Sequence, residues 1–292
     1  MNNIYRRIVQ AAVAIGINAN FKGFTKGEIS TGKYKNICVP GLNCSSCPGA
    51  LVSCPLGALQ EKVFPFQKVF FYITAFIILS GLFVGRFVCG WVCPFGFFQE
   101  IIYKISLPKI KLKFFKKMEY LKYLFLAIFI ISLVMINTNY GYPIFCKFFC
   151  VVEILEAKIP FLISKPHMLT YEGFYFYIKL FLLIALLLMS MSVFRPFCRF
   201  FCPLGAFYSL FNTISFMRIK VDNRRCINCS ACKRACPIDI DVRVEPDSRE
   251  CIRCFKCIAA CPTNSIVIDS RWLRNKEQKT LHVPLERGTG KE

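Results

Sequence analysis

Histidine is nearly missing from this sequence. Its 292 residues include only two, His167 and His282, and neither lies in an apolar stretch that could cross a bilayer. A haem held between two imidazoles inside a membrane has no ligands here, so a b-type cytochrome is excluded. No C-x-x-C-H, G-x-x-x-x-G-K-[ST] or G-x-G-x-x-G occurs, which removes sequence support for attached c-type haem, a phosphate-cradling P-loop and a dinucleotide-binding turn. Acidic residues are scarce as well, 17 Asp+Glu against 38 Lys+Arg. What the chain has in excess is apolar mass and sulfur. Apolar residues make up 55%, including 31 Phe, and the mean hydropathy is +0.47. These values exceed a soluble globular average, and the chain reads as a membrane protein. Its 18 cysteines are too many to be incidental and too unevenly placed for a disulfide-stapled secreted domain, so cofactor ligation is the first expectation.

Three stretches, 64–88, 119–138 and 172–194, are long and apolar enough to span a hydrocarbon core of about 30 Å, which takes roughly 20 helical residues. A fourth, 4–20, has a shorter apolar run between Arg6, Arg7 and the polar pair Asn18 and Asn20. Met1 precedes it and no A-x-A site follows, so it is read as a span rather than a cleaved signal. Orientation follows from the loops, because Lys and Arg accumulate on the cytoplasmic side. Residues 104–122 carry Lys104, Lys109, Lys111, Lys113, Lys116, Lys117 and Lys122 against Glu119, and that loop is expected inside. Alternation then puts both termini inside, in the cell (inner) membrane. Arg195, Arg199, Arg218, Lys220, Arg224 and Arg225 after the last span agree. The basic charge marks topology rather than nucleic-acid binding, and no nucleic-acid partner is expected. The expected fold is mainly α, a polytopic protein of about four helices over 1–219. The runs CINCSACKRACP and CIRCFKCIAACP mark 220–270 as a C-terminal α+β domain of the bacterial 2[4Fe-4S] ferredoxin type, followed by a polar tail over 271–292.

The cysteines sort by side. Inside lie the two runs CINCSACKRACP and CIRCFKCIAACP, each a C-x-x-C-x-x-C-x-x-x-C-P. Two-residue gaps aim three thiolates at one iron-sulfur cubane, and the fourth Cys, fixed by the turn at Pro, reaches the other cluster. Cys226, Cys229, Cys232 and Cys261 are assigned to the first cluster, and Cys251, Cys254, Cys257 and Cys236 to the second. A pair of zinc sites would more often show two separated cysteine pairs.

Segments 86–98, RFVCGWVCPFGFF, and 195–207, RPFCRFFCPLGAF, align without a gap at an offset of 109. Each copy is the end of a span carrying C-x-x-x-C-P. Together Cys89, Cys93, Cys198 and Cys202 supply the four thiolates a cubane needs, each Cys-Pro starts a helix whose dipole favours a negative cluster, and Arg86 and Arg195 are placed to tune it. On the outer side lie Cys38, Cys44, Cys47, Cys54, Cys146 and Cys150. FCKFFC (145–150) echoes FCRFFC (197–202), and Cys54–Ala58 repeats Cys202–Ala206. An outer cluster on Cys47, Cys54, Cys146 and Cys150 is expected, with Cys38 and Cys44 as a disulfide, thiols or alternative ligands. Four [4Fe-4S] clusters result. The competing reading is an oxidised loop with ordinary disulfides. Lys68 and Lys179, about one turn inside the outer span ends, read as snorkelling to the interface.

With these motifs in view, residues 64–270 resemble the NapH/NosR-type membrane polyferredoxins. The resemblance implies an electron-transfer subunit working between the quinone pool and a redox partner, with Cys89, Cys93, Cys198 and Cys202 in the C-x-x-x-C-P positions. The six outer cysteines depart from that pattern, and no flavin-attachment S-[TG]-A-T-like motif is present. The departure favours a path across the membrane. In that path a cytoplasmic donor (ferredoxin, flavodoxin or reductase) reduces the ferredoxin domain, and an exoplasmic or quinone acceptor receives the electrons. The alternatives are a quinone-linked oxidoreductase subunit with structural outer cysteines, and a thiol reductase using the Cys44–Cys47 C-x-x-C.

Overall fold

The computed structural model describes residues 3–30, 32–61, 68–105, 108–109, 118–135, 145–167 and 173–270. Most of the lysine loop, including Lys111, Lys113, Lys116 and Lys117, lies outside them, as do the tail 271–292, His282 and the side chain of Lys68.

Each expected span contains a helix. These are α1 (Asn3–Ile17), α4 (Lys68–Val84), α7 (Leu121–Met135) and α10 (Phe174–Ser192). Among the described helices α10 alone has the length and hydropathy to cross a membrane by itself. The others are shorter than the apolar runs that contain them. α4, α7 and α10 expose large apolar side chains outward, among them Phe71, Leu79, Ile130, Ile131, Phe181 and Leu188, and bury Ile73, Ile77, Phe129, Leu183 and Leu186. α1 is inverted relative to a soluble helix. Its polar Arg6 and Gln10 are buried while Ile4, Tyr5, Ile8 and Ile15 face out. Lys122 of α7 and Lys179 of α10 are likewise turned inward. Lys179 therefore does not snorkel. It pairs with Glu153 at 2.5 Å and donates to the Cys146 carbonyl at 3.1 Å, so a carboxylate inside the protein outcompetes the interface.

The chain leaves α4 through Gly85 at φ 53 and enters α5 (Phe87–Trp91) and α6 (Pro94–Ile102). It leaves α10 through Arg195 at φ 51 and enters α11 (Pro196–Phe200) and α12 (Pro203–Phe211). The sequence repeat is thus a structural one, two short helix pairs hung from two long helices. α1 runs alongside α5 and α6, from Arg6 beside Gly90 to Ile17, whose carbonyl accepts from Leu51 N–H at 2.9 Å. Between α1 and α4 lie α2 (Phe21–Lys26), a long cysteine loop and α3 (Pro55–Glu61). Opposite them stand a π-helical turn at Phe145–Phe149, α8 (Val151–Glu153), a second π turn and α9 (Ile159–Ser164).

The C-terminal part holds an antiparallel pair, β1 (Met217–Val221) and β2 (Ile266–Ser270), with Met217 opposite Ser270 and Val221 opposite Ile266. Between them come α13 (Ala231–Ala235) and α14 (Lys256–Ala259). Positive φ recurs at matched places in the two cysteine runs: Asn228 and Arg253, Ser230 and Phe255, Asp239 and Asn264. Left-handed backbone costs a non-glycine residue roughly 1–2 kcal/mol. Recurring at three matched positions, it bends the two cysteine runs alike.

Candidate metal centres

Cys226, Cys229, Cys232 and Cys261 line one small pocket, closed by Val221, Ile227, Ile266 and Arg243. Cys229 is exposed. The slight burial of Cys261 raises its thiol, but hydrogen bonds from Ser265 and Thr263 outweigh that and bring it down to about 7. Cys251, Cys254, Cys257 and Cys236 form the neighbouring group. Burial pushes Cys251 and Cys257 up to about 12, with Cys254 and Cys236 adding to it as near neighbours. The Cys236 sulfur accepts from Ile240 N–H at 3.4 Å. Crowded, buried, neutral thiols of this kind lose their protons to a bound metal, and N–H groups aimed at sulfur favour the thiolate that results.

The third group joins the two repeats. Burial raises Cys93, and the next largest influences on it are Cys198 and Cys89. Cys202 is raised by burial and then by Cys198, Cys89 and Cys93. Cys93 and Cys202 occupy the same place in each copy. Each stands just before a proline-led helix and accepts from a glycine N–H three residues on, Gly96 at 3.4 Å and Gly205 at 3.2 Å. The arginines are exchanged between copies: Arg86 donates to the Cys198 carbonyl at 3.2 Å, and Arg195 donates to the Cys89 carbonyl. Gln99 donates to the Cys198 sulfur at 3.4 Å while its carbonyl accepts from Phe197 N–H at 3.1 Å. Four thiols, N–H donors to three of them and two arginines fit a cubane. Burial here is deep, which excludes water.

The group is clamped from two sides. From the ferredoxin side, Arg86 also donates to the Arg249 carbonyl at 3.0 Å and pairs with Glu250 at 2.8 Å, and Lys122 joins the same carboxylate. Arg253 donates to Val84 and Asn212 carbonyls at 2.8 Å each, and Trp91 donates to the Arg253 carbonyl at 3.1 Å. Gly90 is required where this loop arrives, since a Cβ there would stand 2.3 Å from the Ile252 carbonyl oxygen. From the other side comes the loop Pro40–Asn43. Leu42 N–H is directed at the Cys93 sulfur, and a Cβ on Gly41 would lie 3.0 Å from the Cys93 Cα. Tyr208 donates to the Pro40 carbonyl at 2.9 Å and stands within electrostatic reach of Cys89, Cys93, Cys202 and also Cys54.

Beyond that loop, Cys44, Cys54, Cys146 and Cys150 line a cavity of about 560 Å³. Cys47, expected among these four, does not line it and Cys44 does. Gly49 N–H is directed at the Cys47 sulfur, and Ala50 N–H donates to the Cys47 carbonyl at 3.2 Å. Cys44 is pinned instead by its backbone N–H, which donates to Glu156 at 2.6 Å. Cys38 bridges to Ser53 beside Cys54 and also stands off the cavity. All the cysteines are free. Among the described residues no three His, Cys, Asp or Glu side chains converge closely enough to hold a single metal ion. A cubane spaces its thiolates more widely than one ion does.

The 4Fe-4S binding domain family matches residues 52–70, 69–113 and 176–222, and the 4Fe-4S dicluster domain family matches 218–262. The chain is 25% identical to the regulatory protein NosR of Stutzerimonas stutzeri over 61% of this chain and 23% of NosR. It is 25% identical to the methylamine utilization ferredoxin-type protein MauN of Methylobacillus flagellatus over 55% of this chain and 52% of MauN. The chain belongs to the NapH/NosR-type polyferredoxins. An uncharacterized protein of Methanocaldococcus jannaschii is 35% identical over 57% of this chain and 64% of its own length. The chain thus spans less than two thirds of these relatives. No solved structure matches it. Iron-sulfur electron transfer is the shared character of this polyferredoxin family.

Sequence reasoning singled out the arginines but missed the carboxylates that answer them, Glu100 and Glu250, and also Arg6, Gln99, Asn212 and Tyr208. Gln99 and Tyr208 occupy equivalent positions of the repeat, one residue past the aligned motif on the same helical face. That alignment carried on would have found both.

Proposed function

We propose that this chain is a membrane-bound electron carrier taking electrons from a cytoplasmic donor to an acceptor at or beyond the far side of the membrane. Residues 1–219 form the membrane part and 220–270 a docked ferredoxin domain. Cys226, Cys229, Cys232 and Cys261 hold one [4Fe-4S] cluster, Cys251, Cys254, Cys257 and Cys236 a second, and Cys89, Cys93, Cys198 and Cys202 a third. Bound there, the clusters supply one-electron carriers of low reorganisation. The observation that carries the reading is the lock between the second cysteine run and the repeat, in which Arg86 touches both the Cys198 carbonyl and the Arg249–Glu250 backbone and carboxylate.

The protein's own residues do the rest. Arg86 and Arg195 offset negative charge at the buried thiolates, and Phe95, Phe197 and Phe200 around them keep water out. The loop Pro40–Asn43 and Tyr208 fill the interval toward Cys54, which matters because electron tunnelling decays steeply with distance. Spanning by α1, α4, α7 and α10 is supported by their outward apolar faces and, on α1, α7 and α10, by inward polar residues, the arrangement a lipid solvent favours. The basic residues near their ends support cytoplasmic termini.

Proteoliposomes holding an impermeant acceptor inside and a reductant for the ferredoxin domain outside test the reading. Wild type should reduce the acceptor, and Cys93→Ser should abolish that while the ferredoxin-type EPR signals still appear on reduction. Equal acceptor reduction by Cys93→Ser would overturn it.

A further inference from the structure

We propose that Cys44, Cys54, Cys146 and Cys150 hold a fourth [4Fe-4S] cluster, with Cys44 rather than Cys47 completing the set. This inference rests on the reading of the chain as an iron-sulfur electron carrier and extends it to the far cavity. Three separate segments bring the four thiols to one space: the cysteine loop, the start of α3 and the π turn before α8. They line a shared cavity of about 560 Å³, and none is bonded to another. That is room for a cubane, whereas two disulfides would leave it empty.

The surroundings repeat those of the repeat-borne group. Leu56 and Gly57 N–H groups point at the Cys54 sulfur, and Val152 and Glu153 N–H groups at the Cys150 sulfur. They match Gly96 at Cys93 and Gly205 at Cys202. Cys146 is held from behind, its N–H donating to Gln60 at 3.3 Å and its carbonyl accepting from the buried Lys179. Lys179 therefore stands where Arg86 and Arg195 stand for the other group, a buried cation on a ligand's backbone. The sequence echoes agree, since Cys54–Ala58 reads as Cys202–Ala206 and FCKFFC as FCRFFC. Cys47 is set apart by position alone, since it does not line the cavity that the other four share.

Iron and acid-labile sulfide, counted on the anaerobically purified full chain, decide the matter. Wild type should hold about 16 iron atoms. Cys44→Ser should fall to about 12, or keep its iron with a shifted potential in one EPR signal, while Cys47→Ser and Cys38→Ser change neither. Cys146→Ser, on the opposite wall, carries the same expectation for the cluster itself, and unchanged iron in Cys47→Ser decides the ligand choice if Cys44→Ser does not fold. Loss in Cys47→Ser with retention in Cys44→Ser would overturn the ligand set. A wild-type count of about 12 that Cys93→Ser lowers by about four would sink the fourth cluster and leave the three-cluster reading intact. If Cys93→Ser leaves the count unchanged, that reading fails with it.

Discussion

At Glu100 a single carboxylate answers two buried guanidiniums. Arg6 binds it through both nitrogens at 2.8 and 2.6 Å, and Arg195 pairs with it at 2.6 Å while reaching the Cys89 carbonyl. Glu100→Gln leaves two buried cations uncompensated, and a broken buried pair costs about 3–5 kcal/mol. Unfolding of the variant in detergent, followed by loss of cluster absorbance, should show that drop at neutral pH. Burial alone would raise the Glu100 carboxyl, but Arg195 and Arg6 hold it below the usual 4.5. The folded value lies under the unfolded one, so the stabilisation is present above about pH 4.5 and is lost as pH falls through the lower folded value. On acidification wild type should converge on Glu100→Gln. A constant gap between them down to acid pH would show that Glu100 is not the group responsible.

The elements that carry thiols were legible to different degrees. The long helices follow from apolar runs, and α5–α6 and α11–α12 from a repeat whose Cys, Pro and Gly coincide. The left-handed residues in the ferredoxin runs were not, because Asn228, Arg253, Ser230 and Phe255 are not glycines and only the closed loop demands their φ. Cys44 and Cys47 could not be told apart in sequence either, since what separates them is which one reaches the cavity, where the Cys44 N–H is held by Glu156, 112 residues away. Nor does spacing show that α5 is the landing place of the second cysteine run. There Gly90 gives a direct check: its Cβ would meet backbone, which cannot move aside as a side chain can. Overpacking of this kind costs about 1–3 kcal/mol. Gly90→Ala should lower the unfolding midpoint and make the linker before β1 cleavable by protease, with both ferredoxin-type EPR signals kept. Protease resistance equal to wild type would show that α5 and the Ile252 loop are not held together.

Along the long helices the ordinary soluble pattern is reversed, with Arg6, Lys122 and Lys179 inside and Phe71, Ile130 and Phe181 outside. α10 shows it along one helix, where Phe181 is 70% exposed and Leu183, two residues on, is 2% exposed. In water that much apolar surface would drive aggregation, whereas in a bilayer it is the matching solvent. α10 has 19 residues, which at 1.5 Å each gives about 28 Å, close to the hydrocarbon thickness. Phe181 lies near its middle. A spin label at Phe181→Cys in liposomes should therefore relax with dissolved oxygen, which concentrates in lipid, and stay insensitive to a water-soluble nickel chelate. A label at Arg224→Cys in the ferredoxin domain should show the opposite ranking, because that region stands in water. A charge at the same depth gives the energetic counterpart. Phe181→Asp places an ionised group at a helix centre, where insertion scales assign about 2.5–3.5 kcal/mol, and should lower the membrane-inserted yield several-fold. Nickel-chelate sensitivity at Phe181→Cys, together with normal yield of Phe181→Asp, would mean that this apolar face is covered by protein rather than lipid, and the spanning role of α10 would have to be given up.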